Sequence, residues 1–558
     1  MSTAAEQARA WLAQDPDPVT RSELEELLAA ADDGDSAAAA DLDDRFAGRL
    51  AFGTAGLRGR LGAGSNRMNR VLVAQAAAGF AAYLLERAGD DVPTVVVGYD
   101  GRRNSDVFAR DSAELFAGAG LRAILLPRLL PTPVLAFAVR EFGADAGVMV
   151  TASHNPPDDN GYKVYLGGAD EGSQIVSPAD AEIAAHIQRV ADEHDVTRLP
   201  RSVGYEVAGE SVVDAYVAAT AAVAPAPASA EGLSWVYTAM HGVGWETFSR
   251  IVDAAGYPAP IPVTAQIDPD GAFPTVAFPN PEEPGAMDLA FEAARDAGAD
   301  LIIANDPDAD RLAVAIPDQA ADGGWRRLTG NQIGLLLGWR AAREAAERGE
   351  VDGRSLACSL VSSPGLAEIA AHYGLDFRAT LTGFKWISRA PGIVFGFEEA
   401  LGYLVNPATV RDKDGISAAI AMLGMAAEAR GRGATVADLL DELGATFGHF
   451  ASDQISVRVE DVSQISDIMA ALRAQHPTSI GDVAVDRVDD LLAGGGDLPS
   501  GDVVRIWLTD GSRLIVRPSG TEPKLKLYID VRGDSSADAD ARLAATADGA
   551  RALLDALG

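Results

Sequence analysis

The sequence has little cysteine and little positive charge. Its single cysteine, Cys358, excludes an intrachain disulfide framework and a cysteine-based metal site, which suits a reducing compartment. The chain has 81 Asp and Glu but only 46 Lys and Arg, so its net charge is −35. A surface this negative repels nucleic acid and anionic membranes. We therefore expect neither of these as a partner.

The sequence also lacks a long uninterrupted hydrophobic run. It opens with polar residues and shows no apolar core of a signal peptide. The longest apolar region, about residues 121–139, is broken by arginines and prolines and is unsuited to span a bilayer. Together with the cysteine count, this predicts a cytoplasmic protein and leaves the oligomeric state open.

Lysine is the scarcest basic residue, with five copies in 558 residues. Arginine replaces lysine readily as a surface cation, but not where a compact ammonium that can release a proton is needed. Three of the five lysines, Lys163, Lys385 and Lys524, lie in loops whose other residues also indicate chemistry. This pattern predicts that those lysines serve a function.

A chain of 558 residues exceeds what one hydrophobic core supports, so several domains are expected. The first fifty residues have a helical pattern, with a capping box predicted at Ser22 and Glu25. Strand-like and helix-like segments then alternate, as at 95–98, 106–119 and 147–150, which is typical of α/β layers.

The end of the chain has a different pattern, in which strands surround a helix at 463–474. Those predicted strands lie at 453–459, 503–508 and 513–516. The pattern indicates a separate α+β domain. A Pro- and Ala-rich segment at 224–228 and a polar segment at 318–324 are typical of linkers or surface loops. We predict four domains, at residues 1–208, 209–322, 323–448 and 449–558.

The first of four candidate loops follows an apolar strand and contains Ser153 and His154. A serine at a strand end, in a loop closed by Pro156, can present its hydroxyl to a binding site, although a loop cap is the commoner use of such a serine. Lys163 follows in the next segment. No Gly-x-Ser-x-Gly elbow is present, which argues against an α/β-hydrolase.

The second loop carries three alternating aspartates, Asp306, Asp308 and Asp310, between two apolar strands. Carboxylates this close repel one another unless a hard cation lies among them, and oxygen ligands suit Mg²⁺ or Ca²⁺ rather than zinc. An EF-hand is excluded, because Arg311 and Pro317 occupy the positions that require Gly and Glu. A solvated acidic turn is the alternative for this loop.

The third candidate region combines a glycine turn with paired acids. The turn contains Thr382, Gly383 and Lys385, and the acids Glu398 and Glu399 follow an apolar run. Paired carboxylates at a strand end can accept hydrogen bonds from adjacent sugar hydroxyls, although such pairs are more often surface charge.

The fourth loop begins at Arg517 and continues through Ser519, Gly520 and Thr521. Arginine offers a bidentate fork to phosphate, the hydroxyls donate, and glycine frees backbone amides for an anion nest. A phosphate site is therefore predicted here, with a plain turn as the alternative. The segment His241–Gly244 contains only a lone Gly-x-Gly, so dinucleotide binding is not inferred from it.

Taken in this order, the loops resemble the α-D-phosphohexomutase superfamily. The similarity begins at Phe52-Gly53-Thr54-Ala55-Gly56-Leu57-Arg58-Gly59 and extends to the Arg517 loop. The stretches 238–244, 382–387 and 397–403 look closest to the phosphoglucomutase-2/phosphopentomutase branch. Many members have serine after the paired acids, where this chain has Ala400, which leaves the preference for hexose or pentose open.

The resemblance implies an α/β protein, with three similar α/β domains containing mixed sheets and a C-terminal α+β lid domain around a central cleft. It implies a mutase that interconverts 1-phosphate and 6-phosphate, or 5-phosphate, sugars through a phosphorylated serine and a bisphosphorylated sugar. Glucose phosphate is the predicted substrate, with pentose and mannose phosphates as alternatives. The implied cofactors are Mg²⁺ and a sugar bisphosphate that primes the enzyme.

The resemblance also implies a role for each candidate residue. The metal would be held by Ser153, Asp306, Asp308 and Asp310. Proton transfer and charge stabilisation would involve Lys163 and Arg58, with His154 beside the serine. The substrate would contact Arg311, Thr382, Gly383, Lys385, Glu398, Glu399, Arg517, Ser519, Gly520 and Thr521.

Two other functions are compatible with parts of the sequence. An apolar strand followed by Asp306-x-Asp308 is the nucleophile pattern of haloacid-dehalogenase phosphatases, although Asp310 stands where that family has Thr or Val. A non-catalytic phosphosugar sensor is the second alternative, and such a protein would be expected to have lost some of these residues.

Overall fold

A computed structural model describes residues 3–54, 56–459, 463–492, 494, 500–518 and 524–557. Its contacts divide the chain into two compact units. The first contains Met1–Arg327 and Asn406–Ala427, and the second contains Leu328–Val405 and Glu428–Gly558. Segment 406–427 therefore packs with the first unit, although the chain around it belongs to the second.

The first fifty residues form the helices α1 (Ala4–Leu12), α2 (Pro18–Asp32) and α3 (Ser36–Phe46), as their pattern predicted. The predicted capping box at Ser22 is wrong, because α2 begins a turn earlier, where Asp17 accepts a hydrogen bond from the amide of Val19. Pro18 starts the helix because its missing amide hydrogen is not needed there. The capping box lies instead at α1, between Thr3 and Glu6.

The first sheet contains β1 (Leu57–Arg60), β2 (Thr94–Tyr99), β3 (Arg122–Leu125), β4 (Ala146–Val150), β5 (Asp159–Leu166), β6 (Ser173–Gln174) and β7 (Glu206–Val207). Its order is β1-β5-β4-β2-β3-β7, with β6 beside β5. The strands alternate with α4 (Arg70–Ala88), α5 (Ser105–Gly118), α6 (Thr132–Glu141), α7 (Ala179–Glu193) and α8 (Ser211–Ala221). Because β2 and β4 are parallel neighbours, the loops after them lie at the same edge of the sheet.

Helix α4 is a core helix of this layer, packed against α5 and α7. Among the described residues it is the one helix long and apolar enough, by length and composition, to cross a membrane. Its apolar window is 67% buried inside the protein, which explains its hydrophobicity without a membrane.

The second sheet contains β8 (Trp235–Thr238), β9 (Ile261–Pro262), β10 (Leu301–Asn305), β11 (Leu312–Pro317) and β12 (Trp325–Arg327), in the order β12-β11-β10-β8-β9. Helices α9 (Gly244–Ala255) and α10 (Asp288–Ala297) complete the layer. Strands β10 and β11 form an antiparallel hairpin whose connection is the acidic loop. Because β12 pairs with β11, the sheet continues beyond the polar segment 318–324 that we predicted as a boundary.

The second unit contains a four-stranded sheet, ordered β14-β13-β15-β16. Its strands are β13 (Ser355–Ser359), β14 (Asp376–Thr380), β15 (Ile393–Glu398) and β16 (Gly402–Leu404). The helices of this unit are α11 (Gly330–Glu347), α12 (Gly365–Tyr373), α13 (Phe384–Ile387) and α15 (Val436–Phe447). Helix α14 (Gly415–Gly431) comes between α13 and α15 in the chain and belongs to the first unit as far as Ala427.

The last sheet is antiparallel and ordered β17-β22-β21-β20-β19-β18. Its strands are β17 (His449–Arg458), β18 (Ser479–Ile480), β19 (Val483–Asp490), β20 (Val504–Leu508), β21 (Arg513–Pro518) and β22 (Lys524–Gly533), and its helices are α16 (Ser463–Ala474) and α17 (Ser536–Leu557). Three α/β layers followed by an α+β layer confirm the predicted fold class. The four domain bounds remain predictions.

Candidate active site

Ser153 lies in the loop after β4, with its hydroxyl aimed at the acidic loop of the second sheet. The side chain is buried, and Oγ donates to Asp306 Oδ2 at 2.9 Å. The amide of Ser153 donates to Thr151 Oγ1 at 2.8 Å. Ser153 has a φ of 53°, a left-handed conformation that is unusual for a residue other than glycine. A residue held in such a conformation at a strand end is typical of functional sites.

Two further predicted residues contact Ser153 or its loop. His154 Nδ1 lies 3.3 Å from Ser153 Oγ. Burial, and then the positive charges of Arg311 and Arg58, hold the pKa of His154 well below its usual range. A neutral imidazole at this distance can exchange a proton with the serine hydroxyl. Arg58, on β1, donates from Nη1 to Asn155 Oδ1 at 3.1 Å and so contacts the same loop.

The three predicted aspartates lie together in the tight connection between β10 and β11. All three side chains are fully buried, and one ligand oxygen from each lies within 4.8 Å of the others. Among the residues that the structure describes, Asp308 Oδ1 and Asp310 Oδ1 find no hydrogen-bond partner. Leaving buried carboxylate oxygens unpaired is costly, and a divalent cation with oxygen ligands removes that cost. The acidic loop therefore fits a hard metal ion such as Mg²⁺.

The three carboxylates of the acidic loop affect one another's ionisation, and Arg311 lies beside them. Burial, and then the negative charges of Asp308 and Asp310, raise the pKa of Asp306 well above its ordinary value. The amide of Arg311 donates to Asp306 Oδ1 at 3.0 Å, and Arg311 Nε lies 3.9 Å from Asp310 Oδ1. Arg311 thus lies at the acidic loop, and its contact with the substrate stays a prediction.

Lys163, on β5, reaches two of these carboxylates. Its Nζ lies 2.7 Å from Asp308 Oδ2 and 2.8 Å from Asp310 Oδ2. Burial by itself would lower the pKa of Lys163, but the two carboxylates outweigh burial and raise it. This direction does not favour the proton release that the sequence suggests for Lys163, and the reason is that residue spacing does not show which charges face the ammonium. In this arrangement Lys163 is a held cation.

Two residues that the sequence did not single out also contact the aspartates. Thr132, at the start of α6, donates from Oγ1 to Asp308 Oδ2 at 2.6 Å. Lys413 Nζ lies 3.3 Å from Asp310 Oδ2, on the segment that joins the first unit. The scarcity of lysine in the sequence could have pointed to Lys413, whereas nothing in the sequence distinguishes Thr132.

The Gly-x-Gly segment at 242–244 supports the acidic loop. The amide of Val243 donates to Pro307 O at 2.8 Å. A Cβ on Gly242 would lie 2.3 Å from Pro307 Cα, so only glycine allows this close approach. This contact gives the segment a structural purpose other than dinucleotide binding.

The second unit holds the remaining candidate residues. Gly383, with a φ of 106°, directly precedes the short helix α13, and Lys385 lies in that helix. Thr382 directly precedes Gly383. Glu398 ends β15. Glu399 Oε2 accepts hydrogen bonds from two serine hydroxyls of its own layer.

Those two serines are Ser359, at 3.1 Å, and Ser362, at 3.0 Å, so one carboxylate oxygen of Glu399 braces the adjacent loop. Arg517 lies on β21. The other predicted members of its loop, Ser519, Gly520 and Thr521, lie outside the described residues.

Comparison with known families matches nearly the whole chain. Models described as phosphoglucomutase/phosphomannomutase alpha/beta/alpha domains I, II and III match residues 49–194, 214–319 and 329–447. The model of the C-terminal domain of the same family matches residues 455–549. All four parts of the family thus occur in order.

Individual proteins agree with these matches. The chain is 55% identical to a probable phosphomannomutase of Haemophilus influenzae, over 87% of this chain and 98% of that protein. It is 34% identical to a probable phosphoribomutase of Schizosaccharomyces pombe, over 95% of this chain and 94% of that protein.

Among solved structures, a phosphoglucomutase/phosphomannomutase family protein of Burkholderia thailandensis has the same fold. Its TM-score is 0.69 at 21% identity, and the match covers 91% of this chain and 98% of that one. The protein therefore belongs to the phosphoglucomutase/phosphomannomutase family of the α-D-phosphohexomutase superfamily, and is an enzyme of that isomerase class, an intramolecular phosphotransferase.

Proposed function

We propose that the protein moves a phosphoryl group between the 1-position and the 6-position, or 5-position, of a sugar phosphate through a phosphorylated Ser153. The observation that carries the proposal is the buried hydrogen bond from Ser153 Oγ to Asp306, at 2.9 Å. It places a serine hydroxyl against a cluster of carboxylates whose unpaired oxygens fit a divalent cation.

In this proposal the phosphoserine transfers its phosphoryl group to a free hydroxyl of the sugar monophosphate, which becomes a bisphosphate. The serine oxygen then takes the other phosphoryl group and the sugar leaves as the isomeric monophosphate. A serine intermediate divides the reaction into two transfers of the same kind. A sugar bisphosphate primes an enzyme molecule whose serine is unphosphorylated.

Mg²⁺ would be held by Asp306, Asp308 and Asp310 together with an oxygen of Ser153 or its phosphate, and when bound it neutralises charge on phosphoryl oxygens. Arg58 and Arg311 add fixed positive charge close to the serine loop. His154, which is neutral and lies 3.3 Å from Ser153 Oγ, takes the proton of the Ser153 hydroxyl when Oγ accepts a phosphoryl group and returns it when that group leaves.

The substrate contacts proposed for the second unit follow from the chemistry of the side chains. Glu398 and Glu399 accept hydrogen bonds from sugar hydroxyls, and Lys385 adds a cation. Arg517 and its loop bind the phosphate that is not transferred, by a bidentate fork. Thr382 and Gly383 position the turn that carries Lys385.

Glucose 1-phosphate is the substrate that we propose. The identity to the Haemophilus influenzae protein, named for mannose, makes mannose 1-phosphate the second candidate. The similarity to a protein named for ribose adds a pentose phosphate. We propose a cytoplasmic location on the basis of composition.

A coupled assay of product formation with glucose 1-phosphate, mannose 1-phosphate and ribose 1-phosphate tests the function. We expect isomerised product from at least one sugar, with the highest kcat/KM for glucose 1-phosphate. A higher kcat/KM for mannose or ribose changes the substrate and leaves the phosphoserine chemistry intact. Release of inorganic phosphate without an isomeric product contradicts the proposal.

Removing the ammonium of Lys163 is expected to lower kcat at least roughly a hundredfold, because Asp308 and Asp310 lose the fixed cation that balances their buried charge in the active site. The change is Lys163→Met, measured at saturating substrate and Mg²⁺. Lys163→Arg should lose nearly as much, because a planar guanidinium does not replace a compact ammonium that contacts two carboxylates from one atom.

Arg110→Met is the matched control, because Arg110 lies on the same domain and its side chain is 56% exposed, paired with Asp106. It should retain normal turnover. A Lys163→Met protein with nearly normal kcat would remove Lys163 from the active site.

A further inference from the structure

Four backbone carbonyls of the serine loop converge on one buried guanidinium. Arg102 lies in the turn after β2 and is 4% exposed. Its Nη2 donates to Ser153 O and Asn155 O, both at 2.6 Å. Its Nη1 donates to Pro156 O at 2.9 Å and Asp159 O at 3.2 Å. One side chain thereby spans the loop from the reactive serine to the start of β5.

The guanidinium is itself held in place. Its Nε lies 3.5 Å from Asp100 Oδ2, and its central carbon lies 4.9 Å from the ring centre of Phe273. Asp100 Oδ1 in turn accepts from the amide of Arg102 at 3.0 Å and from Ser105 Oγ at 2.7 Å. Packing and hydrogen bonds therefore leave Arg102 little freedom to move.

These contacts hold the backbone of Ser153 in its strained left-handed conformation. A residue other than glycine adopts the left-handed conformation only at a steric cost. The peptide group before Ser153 is tied through its amide to Thr151, and the one after it is tied through its carbonyl to Arg102. Fixing both peptide groups sets the direction of Cβ, and with it the aim of Oγ at Asp306. Without Arg102, the loop is free to relax to ordinary backbone angles and turn the hydroxyl away.

We infer that Arg102 is a positioning residue for phosphoryl transfer, which holds the Ser153 loop in the conformation that presents Oγ to Asp306. The inference rests on the proposed role of Ser153 as the nucleophile. Arginine is required because its planar fork donates in several fixed directions, whereas the ammonium of lysine is a point donor. Arg102 acts through the backbone and does not need to touch the substrate.

The test compares Arg102→Ala and Arg102→Lys with Arg103→Ala. Arg103 is the matched control, because it lies in the same turn and contacts the same loop from outside, through Pro157 O and Asp158, with a 56% exposed side chain. The first readout is single-turnover transfer from glucose 1,6-bisphosphate to Ser153. The second is kcat and KM in the steady state.

We expect the Arg102 variants to lose about a hundredfold in transfer rate and kcat, because a misplacement of about 1 Å costs that much. Their KM should stay within about threefold of wild type, since ground-state binding of the sugar phosphate is untouched. Arg103→Ala should transfer at the wild-type rate. Added methylguanidinium should restore part of the lost rate in Arg102→Ala and should have no effect on Arg103→Ala.

Unfolding midpoints show which variants are folded, and Arg102→Lys carries the test if Arg102→Ala does not fold. Transfer within threefold of wild type in a folded Arg102 variant overturns the inference. So does a loss in Arg102→Ala that methylguanidinium does not relieve. Absence of phosphate on Ser153 in the wild type is a different result, because it contradicts the proposed function itself.

Discussion

Replacing Ser153 by alanine is expected to abolish turnover. Peptide mapping of the wild-type protein, incubated with glucose 1,6-bisphosphate, should find one phosphate on the peptide that contains Ser153. The reason is that the hydroxyl is the group aimed at the buried carboxylates, and no other hydroxyl donates to Asp306 among the described residues. Intact mass and a coupled assay measure the two effects.

Ser153→Gly separates loss of chemistry from loss of structure. Glycine adopts the left-handed φ of 53° without steric cost, so Ser153→Gly should keep the conformation of the loop. It should still be as inactive as Ser153→Ala, because both variants lack the hydroxyl. Its free energy of unfolding should equal that of wild type or exceed it by up to about 1 kcal/mol. Ser211→Ala, at the exposed start of α8, is the control and should be fully active. Near-normal activity in Ser153→Ala would end the phosphoserine mechanism.

Removal of divalent metal is expected to stop the reaction, and added Mg²⁺ should restore it. The matching substitution is Asp308→Ala, for which we expect a loss of at least about a thousandfold in kcat, or about 4 kcal/mol of transition-state stabilisation. Asp308 contributes an unpaired buried oxygen to the cluster and also pairs with Lys163. Its removal therefore disturbs both the metal site and the charge balance.

Titration calorimetry of Mg²⁺ with wild type and Asp308→Ala gives a readout independent of turnover, with weaker or undetectable binding in the variant. Asp322→Ala is the matched control, because Asp322 is an exposed acid in the turn between β11 and β12. It should change neither binding nor kcat. Activity that survives thorough chelation would show that the metal assignment is wrong.

The acidic loop shows what local sequence can predict. Asp306, Asp308 and Asp310 alternate between two apolar segments, and the structure places them in the connection of a hairpin whose strands are buried. Short strands and tight turns are set by neighbouring residues, so their position follows from pattern alone. The helix predicted at 463–474 has those same bounds in the structure.

The capping box shows where local pattern misleads. Ser22 and Glu25 match the motif, but Asp17 and Pro18 compete for the same helix start and lie earlier in the chain. Several residues near one helix end satisfied a local rule, and only the folded chain decided which of them caps the helix.

Sequence alone determined the family, the order of its layers and the presence of a serine, an acidic loop and rare lysines. Only the tertiary structure decided which charges meet. Lys163, on β5, contacts Asp308 in the connection between β10 and β11, 145 residues further along the chain, and Lys413 reaches Asp310 because its segment joins the first unit. Arg102 lies beside Ser153 because β2 and β4 are parallel neighbours. Such contacts depend on sheet order and packing between distant segments, which residue spacing does not encode.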